Sequence, residues 1–199
     1  MRGQTRLGGF TLIELLIVVA IIAILALIAV PNFLEAQTRA KVSRCQADMR
    51  SLATALESYY TDNNAYPYSM EGDWPPNLPR YSPYEGLTHL TSPISYMSSI
   101  PQDPFMSGSP RRLNDTWTHG GFHYWTKEVR MMWAEKEGWG PDAWIWIVGV
   151  ENAAKEWALL SYGPDRHLNW ELKPNERQST PYDATNGTVS FGDIFRVGP

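Results

Sequence analysis

The sequence predicts an α+β fold: one long amino-terminal helix, its first half in a membrane, packed through its second half on a small antiparallel β-sheet head. Three observations carry this. An apolar run opens the chain, an apolar stripe at helical spacing continues it, and short β-rich runs separated by turn signals close it.

The opening run has no charge or strongly polar group from Leu15 to Val30. Between Phe10 and Leu34 only Thr11, Glu14, Pro31 and Asn32 interrupt it. As a helix rising about 1.5 Å per residue this segment spans roughly 37 Å, enough to cross a hydrocarbon core of about 30 Å. Arg2 and Arg6 precede it, which holds the first residues in the cytoplasm and sends the remainder outward. A cleavable secretory signal is the plain alternative. Its apolar core is usually about 7–15 residues, however, and it has no use for an acid at its leading edge. A carboxylate at bilayer depth is costly unless it finds a partner. Scission between Gly9 and Phe10 would expose a new amine four residues ahead of Glu14. Pairing that amine with Glu14, in the same chain or a neighbour, makes the charge an assembly device.

Beyond Pro31 the stripe Val42, Cys45, Met49, Leu52, Leu56 and Tyr59 has steps of three and four residues, one face of a continuing helix. Lys41, Arg44, Asp48, Arg50 and Glu57 spread over its other faces. The stripe covers fewer than three heptads, which favours packing on a sheet over a coiled coil. Asn63 and Asn64 mark the helix end, and Pro67 follows. The proline-rich stretch "YPYSMEGDWPPNLPRYSPYE" reads as a loop crossing the head. "GLTHLTSPISYMSSIPQDPF" reads as a short helical turn followed by extended chain. "FHYW" suggests a strand, and Trp125, Val129, Met132 and Trp133 a short helix to about Glu137. "AWIWIVGV" (143–150) and "EWALLSYG" (156–163) are expected to form an antiparallel hairpin. Asn186-Gly187, inside "YDATNGTVSFGDIFRV", signals another tight turn.

The segment "GGFTLIELLIVVAIIAILALIAVPNF" resembles the amino-terminal motif of type IV prepilins and type II secretion pseudopilins, with the match covering about residues 6–34. The resemblance implies a type IV pilin-like fold with four parts. They are a leader peptide at 1–9, a transmembrane and filament-core helix at 10–34, its amphipathic continuation at 35–64, and a head at 65–199. It also implies that a prepilin peptidase cuts after Gly9 and methylates Phe10, and that Glu14 guides docking into a helical filament. The implied partners are copies of the same chain, minor pseudopilins, the peptidase, an inner-membrane assembly platform and membrane lipid. The implied location is the bacterial inner membrane, single-pass, amino terminus cytoplasmic, head periplasmic or extracellular.

Closing segments "SYGPDRHLN" and "PYDATNGTVSFGDI" are similar to the carboxyl-terminal part of the major pseudopilin, where that family binds calcium. Asp165, Asp183, Asn186 and Asp193 have the oxygen ligands that ion wants. Asp and Asn in such loops also make turns with their own backbone, and the acid-rich run of the family's calcium loop is replaced here by "HLNWELKPNERQST".

Other chemistry is weakly signalled. Removing Arg2 and Arg6 from the 17 basic residues leaves 15 against 21 acidic ones, a balance unsuited to nucleic acid. Cys45 is the one cysteine, which excludes an intrachain disulfide and reads as a small buried apolar residue. Trp144 and Trp146 would share one strand face, suggesting core packing more than sugar binding. His119 and His123 flank "GGF", a poor helical metal pair. "NGT" at 186–188 matches a glycosylation acceptor and fits a turn equally well. No catalytic motif is present in the sequence, so a structural subunit is expected rather than an enzyme. A pseudopilin of a type II secretion-like system is the first reading. A pilin of a surface pilus for adhesion, motility or DNA uptake is the second. A secreted Trp-rich binding domain behind a signal peptide is the third.

Overall fold

Helix α1 occupies Leu12–Asn63, 52 residues, and passes through Pro31 without interruption. The computed structural model describes residues 11–68, 85–106, 121–138, 140–148, 150–167, 181–183, 185 and 192–199. The chain forms two compact units, Met1–Gln37 and Thr38–Pro199. In the first, the apolar residues from Leu12 to Leu34 are exposed around the whole helix, with Leu12 at 80% and Leu27 at 77%. α1 ends where Asn64 turns left-handed (φ 53°) and its N–H reaches Tyr60 O at 2.7 Å. Asn adopts that conformation at low cost, so the residue types set the boundary.

In the second unit the helical stripe forms the core as its spacing requires. Val42, Cys45, Met49, Leu52 and Leu56 are buried, and half-buried Tyr59 packs against the same cluster. They meet Leu87 and Leu90 from the 3-10 turn Glu85–Leu90, Phe105, Phe122 and one face of a sheet. Thr91 to Met106 runs through turns and bends in place of the expected extended chain, with an isolated bridge between Gln102 and Gly121.

Among the described residues, three antiparallel strands, β1 (His123–Thr126), β2 (Trp157–Ser161) and β3 (Ile194–Val197), make the sheet in that order. Register places Tyr124 opposite Leu159 and Trp125 opposite Ala158. The two-residue alternation therefore sends Tyr124, Trp157, Leu159 and Ile194 toward α1. Trp125, Ala158 and Leu160 face the other way, into a second apolar cluster with Trp144 and Val148. All of β2 is buried because both of its faces are covered.

The cover on the far face corrects the sequence reading. The described residues of 143–150 form no strand: Pro141–Ala143 is a 3-10 turn and Ile145–Val148 a short helix, α3. The expected hairpin with 156–163 does not exist; β2 pairs with β1 and β3 instead. A continuous apolar run has no period to separate strand from helix. Helical geometry won because Trp144 and Val148, four residues apart, share one face and seat together on the sheet. The expected short helix is α2 (Lys127–Glu137), closed by left-handed Gly138 (φ 70°). Buried Arg130 ties it to the 3-10 turn, its Nε donating to Ala143 O at 3.3 Å. The Asn186-Gly187 turn lies outside the described residues.

Candidate assembly site

The start of α1 is built by Thr11 and Glu14. Thr11 N–H donates to Glu14 Oε2 at 2.9 Å, and Thr11 Oγ1 donates to the same oxygen at 2.7 Å. Glu14 N–H lies 3.4 Å from Thr11 Oγ1, completing a reciprocal capping box three residues apart. Such a box satisfies two amide groups that a helix start leaves without carbonyls. Glu14 is exposed in the single chain, on the same unit as the uncovered apolar surface. Gly9 and Phe10 lie outside the described residues.

An apolar surface around the whole circumference of a helix has two stable environments, lipid or other helices. α1 is long and apolar enough to cross a membrane, with a mean hydropathy of 3.2 over its most apolar window and none of that window buried. One helix thus carries two kinds of surface, apolar all round in its first half and one-sided in its second.

The head holds a polar anchor that the sequence reading missed. Glu57, expected on an outer face of α1, accepts from Trp157 Nε1 at 2.9 Å and from Tyr66 Oη at 3.1 Å. Glu57 directly follows Leu56 of the buried stripe, so an edge position was legible, but its partner Trp157 is 100 residues away. Burial first, then the Glu57 carboxylate, pushes the Tyr66 phenol up to about 12. Asp103 is fully buried, its Oδ1 accepting from Phe105 N–H at 2.8 Å, and burial holds its carboxyl above the usual range. Cys45 is fully buried, with its thiol pushed up to about 12 by burial first and by the Asp103 carboxylate next. It is therefore an inert apolar filler, as expected.

The calcium candidates are only partly described. Asp165 Oδ1 accepts from His167 N–H at 3.1 Å, and Asp183 Oδ1 accepts from Thr185 N–H at 2.8 Å, each a turn with its own backbone. Asp193 is fully buried, and Asn186 lies outside the described residues. Their segments do approach: a Cβ on Gly163 would meet Gly192 O at 2.6 Å, and Tyr182 N–H donates to Asp193 O at 2.9 Å. Among the described residues, no three His, Cys, Asp or Glu side chains are placed to hold a metal. The described donors alone do not form a calcium shell.

The tryptophan and histidine readings resolve in favour of packing where they are described. Trp144 and Trp125 are core residues of the far sheet face. The shared strand face of Trp144 and Trp146 is corrected, since Trp144 leads into the helical turn α3. His119 lies outside the described residues. His123 is buried between the rings of Trp125 (5.3 Å) and Tyr162 (4.9 Å), and burial pulls its pKa down to about 4.

Comparison with known proteins agrees with this geometry. A family model for the prokaryotic N-terminal methylation motif matches residues 6–30, and one for type II secretion system protein G matches residues 32–129. The type II secretion system core protein G of Aeromonas hydrophila is 35% identical over 111 residues, covering 55% of this chain and 74% of that protein. Its counterpart in Escherichia coli K12 is 30% identical over 160 residues, covering 80% and 97%. The type IV major pilin protein PilA of Myxococcus xanthus is 49% identical over 65 residues, but these cover 33% of this chain and 30% of the pilin. No solved structure matches the chain. An apolar helix with a carboxylate in its first turn, continued into a one-sided helix on a three-stranded sheet, thus has relatives across most of its length: the chain belongs to the protein G family of the type II secretion system, the pseudopilins.

Proposed function

We propose that this pseudopilin is made as a single-pass inner-membrane protein with a cytoplasmic amino terminus and a periplasmic head. A prepilin peptidase cuts between Gly9 and Phe10, removing the leader 1–9, and methylates Phe10. The chain then joins copies of itself and minor pseudopilins on an inner-membrane platform to form a short fibre whose growth helps move folded proteins outward. Its contribution is structural: it is a substrate of processing enzymes and catalyses no reaction itself.

The observation that carries this reading is the uncovered apolar surface of Leu12–Leu34 with Glu14 at its start. Lipid covers that surface before assembly, and neighbouring helices cover it afterwards. A bare carboxylate there resists both environments, so Glu14 favours the one position where a cation meets it. The new amine of Phe10, in the same or the adjoining protomer, is that cation. The capping box holds the carboxylate at the helix start.

Glu14→Ala loses box and charge, whereas Glu14→Gln keeps an acceptor for Thr11 and loses only the charge. Both variants should be cleaved normally and fail to form fibres. Wild-type fibre yield from Glu14→Gln would reduce Glu14 to a helix cap and end the docking role.

Calcium in the closing loops is a separate proposal. Its support is the approach of Gly163, Tyr182 and Gly192–Asp193, which gathers the three segments carrying Asp165, Asp183 and Asp193. Donors beyond the described residues, Asn186 among them, would have to complete the shell. A melting temperature raised by calcium and lowered by chelator is expected, and an unchanged one removes the ion. The likeness to PilA supports a surface pilus as a second reading. Loss of motility or adhesion with intact protein export, on deletion of the chain, would favour it.

A further inference from the structure

Two hollows on the head adjoin at Glu128, in the first turn of α2. One, of about 410 Å3, is lined by Glu57, Tyr60, Tyr66, Tyr68, Glu128 and Glu156 among others. The second, of about 650 Å3, is lined by Glu128, Met131, Met132, Glu135, Gly138 and Gly140 among others. Tyr68 Oη lies 3.9 Å from Met132 Sδ where they meet. Tyr60 and Tyr66 stack at 4.6 Å, and Tyr60, Tyr68 and Met132 are exposed at 41%, 39% and 40%.

The described lining of this groove holds four glutamates and no lysine or arginine. Its floor of aromatic rings and thioethers accepts the aliphatic stem and charged head of a long basic side chain. The same chain presents a complementary surface. Arg39, Lys41, Arg44 and Arg50 are all exposed on the second half of α1, within twelve residues. Lys41 and Arg44, three residues apart, border the buried stripe on one side.

We propose that the groove between α1, β1 and α2 is the seat for the basic stretch Arg39–Arg50 of α1 in a second copy of this chain. Lys41 and Arg44 of one protomer place their charges among Glu128, Glu135 and Glu156 of the next. This fixes the heads relative to each other, a contact distinct from the apolar packing of Leu12–Leu34. It rests on the fibre reading above and names a second set of residues that the fibre needs.

The test is charge exchange in the full-length chain, with fibres sheared from cells that carry the assembly machinery. Glu128→Lys and Lys41→Glu/Arg44→Glu should each lower the sedimentable fibre fraction tenfold or more. Near-UV circular dichroism and melting temperature should stay at wild-type values, since these side chains are exposed or line an open hollow. Combining the two sets should restore fibres to within about threefold of wild type. Restoration is the outcome that loss of folding cannot mimic. Normal fibres from either variant alone overturn the proposal. A combined variant no better than the weaker parent also overturns it, and assigns the groove to another occupant such as a minor pseudopilin. Absence of fibres from the wild-type chain would instead overturn the fibre reading itself.

Discussion

His123 makes the head acid-sensitive by an amount that follows from its burial. The ring is 3% exposed, sits between Trp125 and Tyr162, and its Nδ1 has no hydrogen-bond partner among the described residues. Folding carries it from an ordinary pKa of 6.5 down to about 4. The unfolded chain therefore binds a proton between those values and the folded chain does not. Stability is full above pH 6.5 and is lost as pH falls toward 4. The complete loss is roughly 3 kcal/mol, and at pH 5 it is already about 2 kcal/mol. Asp103 acts with the opposite sign: burial raises its pKa, so the fold is favoured by protonating it, a gain that grows as pH falls. A single profile would mix the two. The clean measurement is urea unfolding of the full chain in detergent, from pH 7.5 to 4.5, for wild type and His123→Phe. Phenylalanine keeps the ring contacts and removes the titration. The wild type should lose about 2 kcal/mol more than the variant between pH 7.5 and pH 5. Parallel profiles would refute the argument and mean that His123 is protonated, or solvated, in the folded head.

Three further outcomes are expected. A Cβ on Gly198 would run into the Trp157 indole, so Gly198→Ala must displace the ring that binds Glu57, costing about 1–3 kcal/mol by urea midpoint. Glu57→Ala leaves Trp157 Nε1 and Tyr66 Oη without their acceptor, for a loss of about 1–3 kcal/mol, and Glu57→Gln should recover part of it. Gly9→Leu should slow leader removal, read by intact mass of the mature amino terminus, because a peptidase pocket fitted to glycine has no room for a branched side chain.

The primary sequence determined the parts whose physics is local. Apolar content over Leu12–Leu34, the helical spacing of Val42 to Leu56, and Asn64 at the α1 boundary each follow from neighbouring residues, and all three stand. Glu14 stood out for the same reason, a lone charge in apolar surroundings. Tertiary structure alone decided what depended on distant partners. "AWIWIVGV" is as apolar as a central strand, and only the sheet beside it made a helical turn that seats Trp144 and Val148 the better burial. Glu57 became a half-buried acceptor because Trp157 arrives from the far end of the head. The acidic groove arises where the end of α1, β1 and α2 converge, and no window of sequence contains all three. Periodicity reports which face of an element is apolar; which surface finally covers it is settled only when the chain closes on itself.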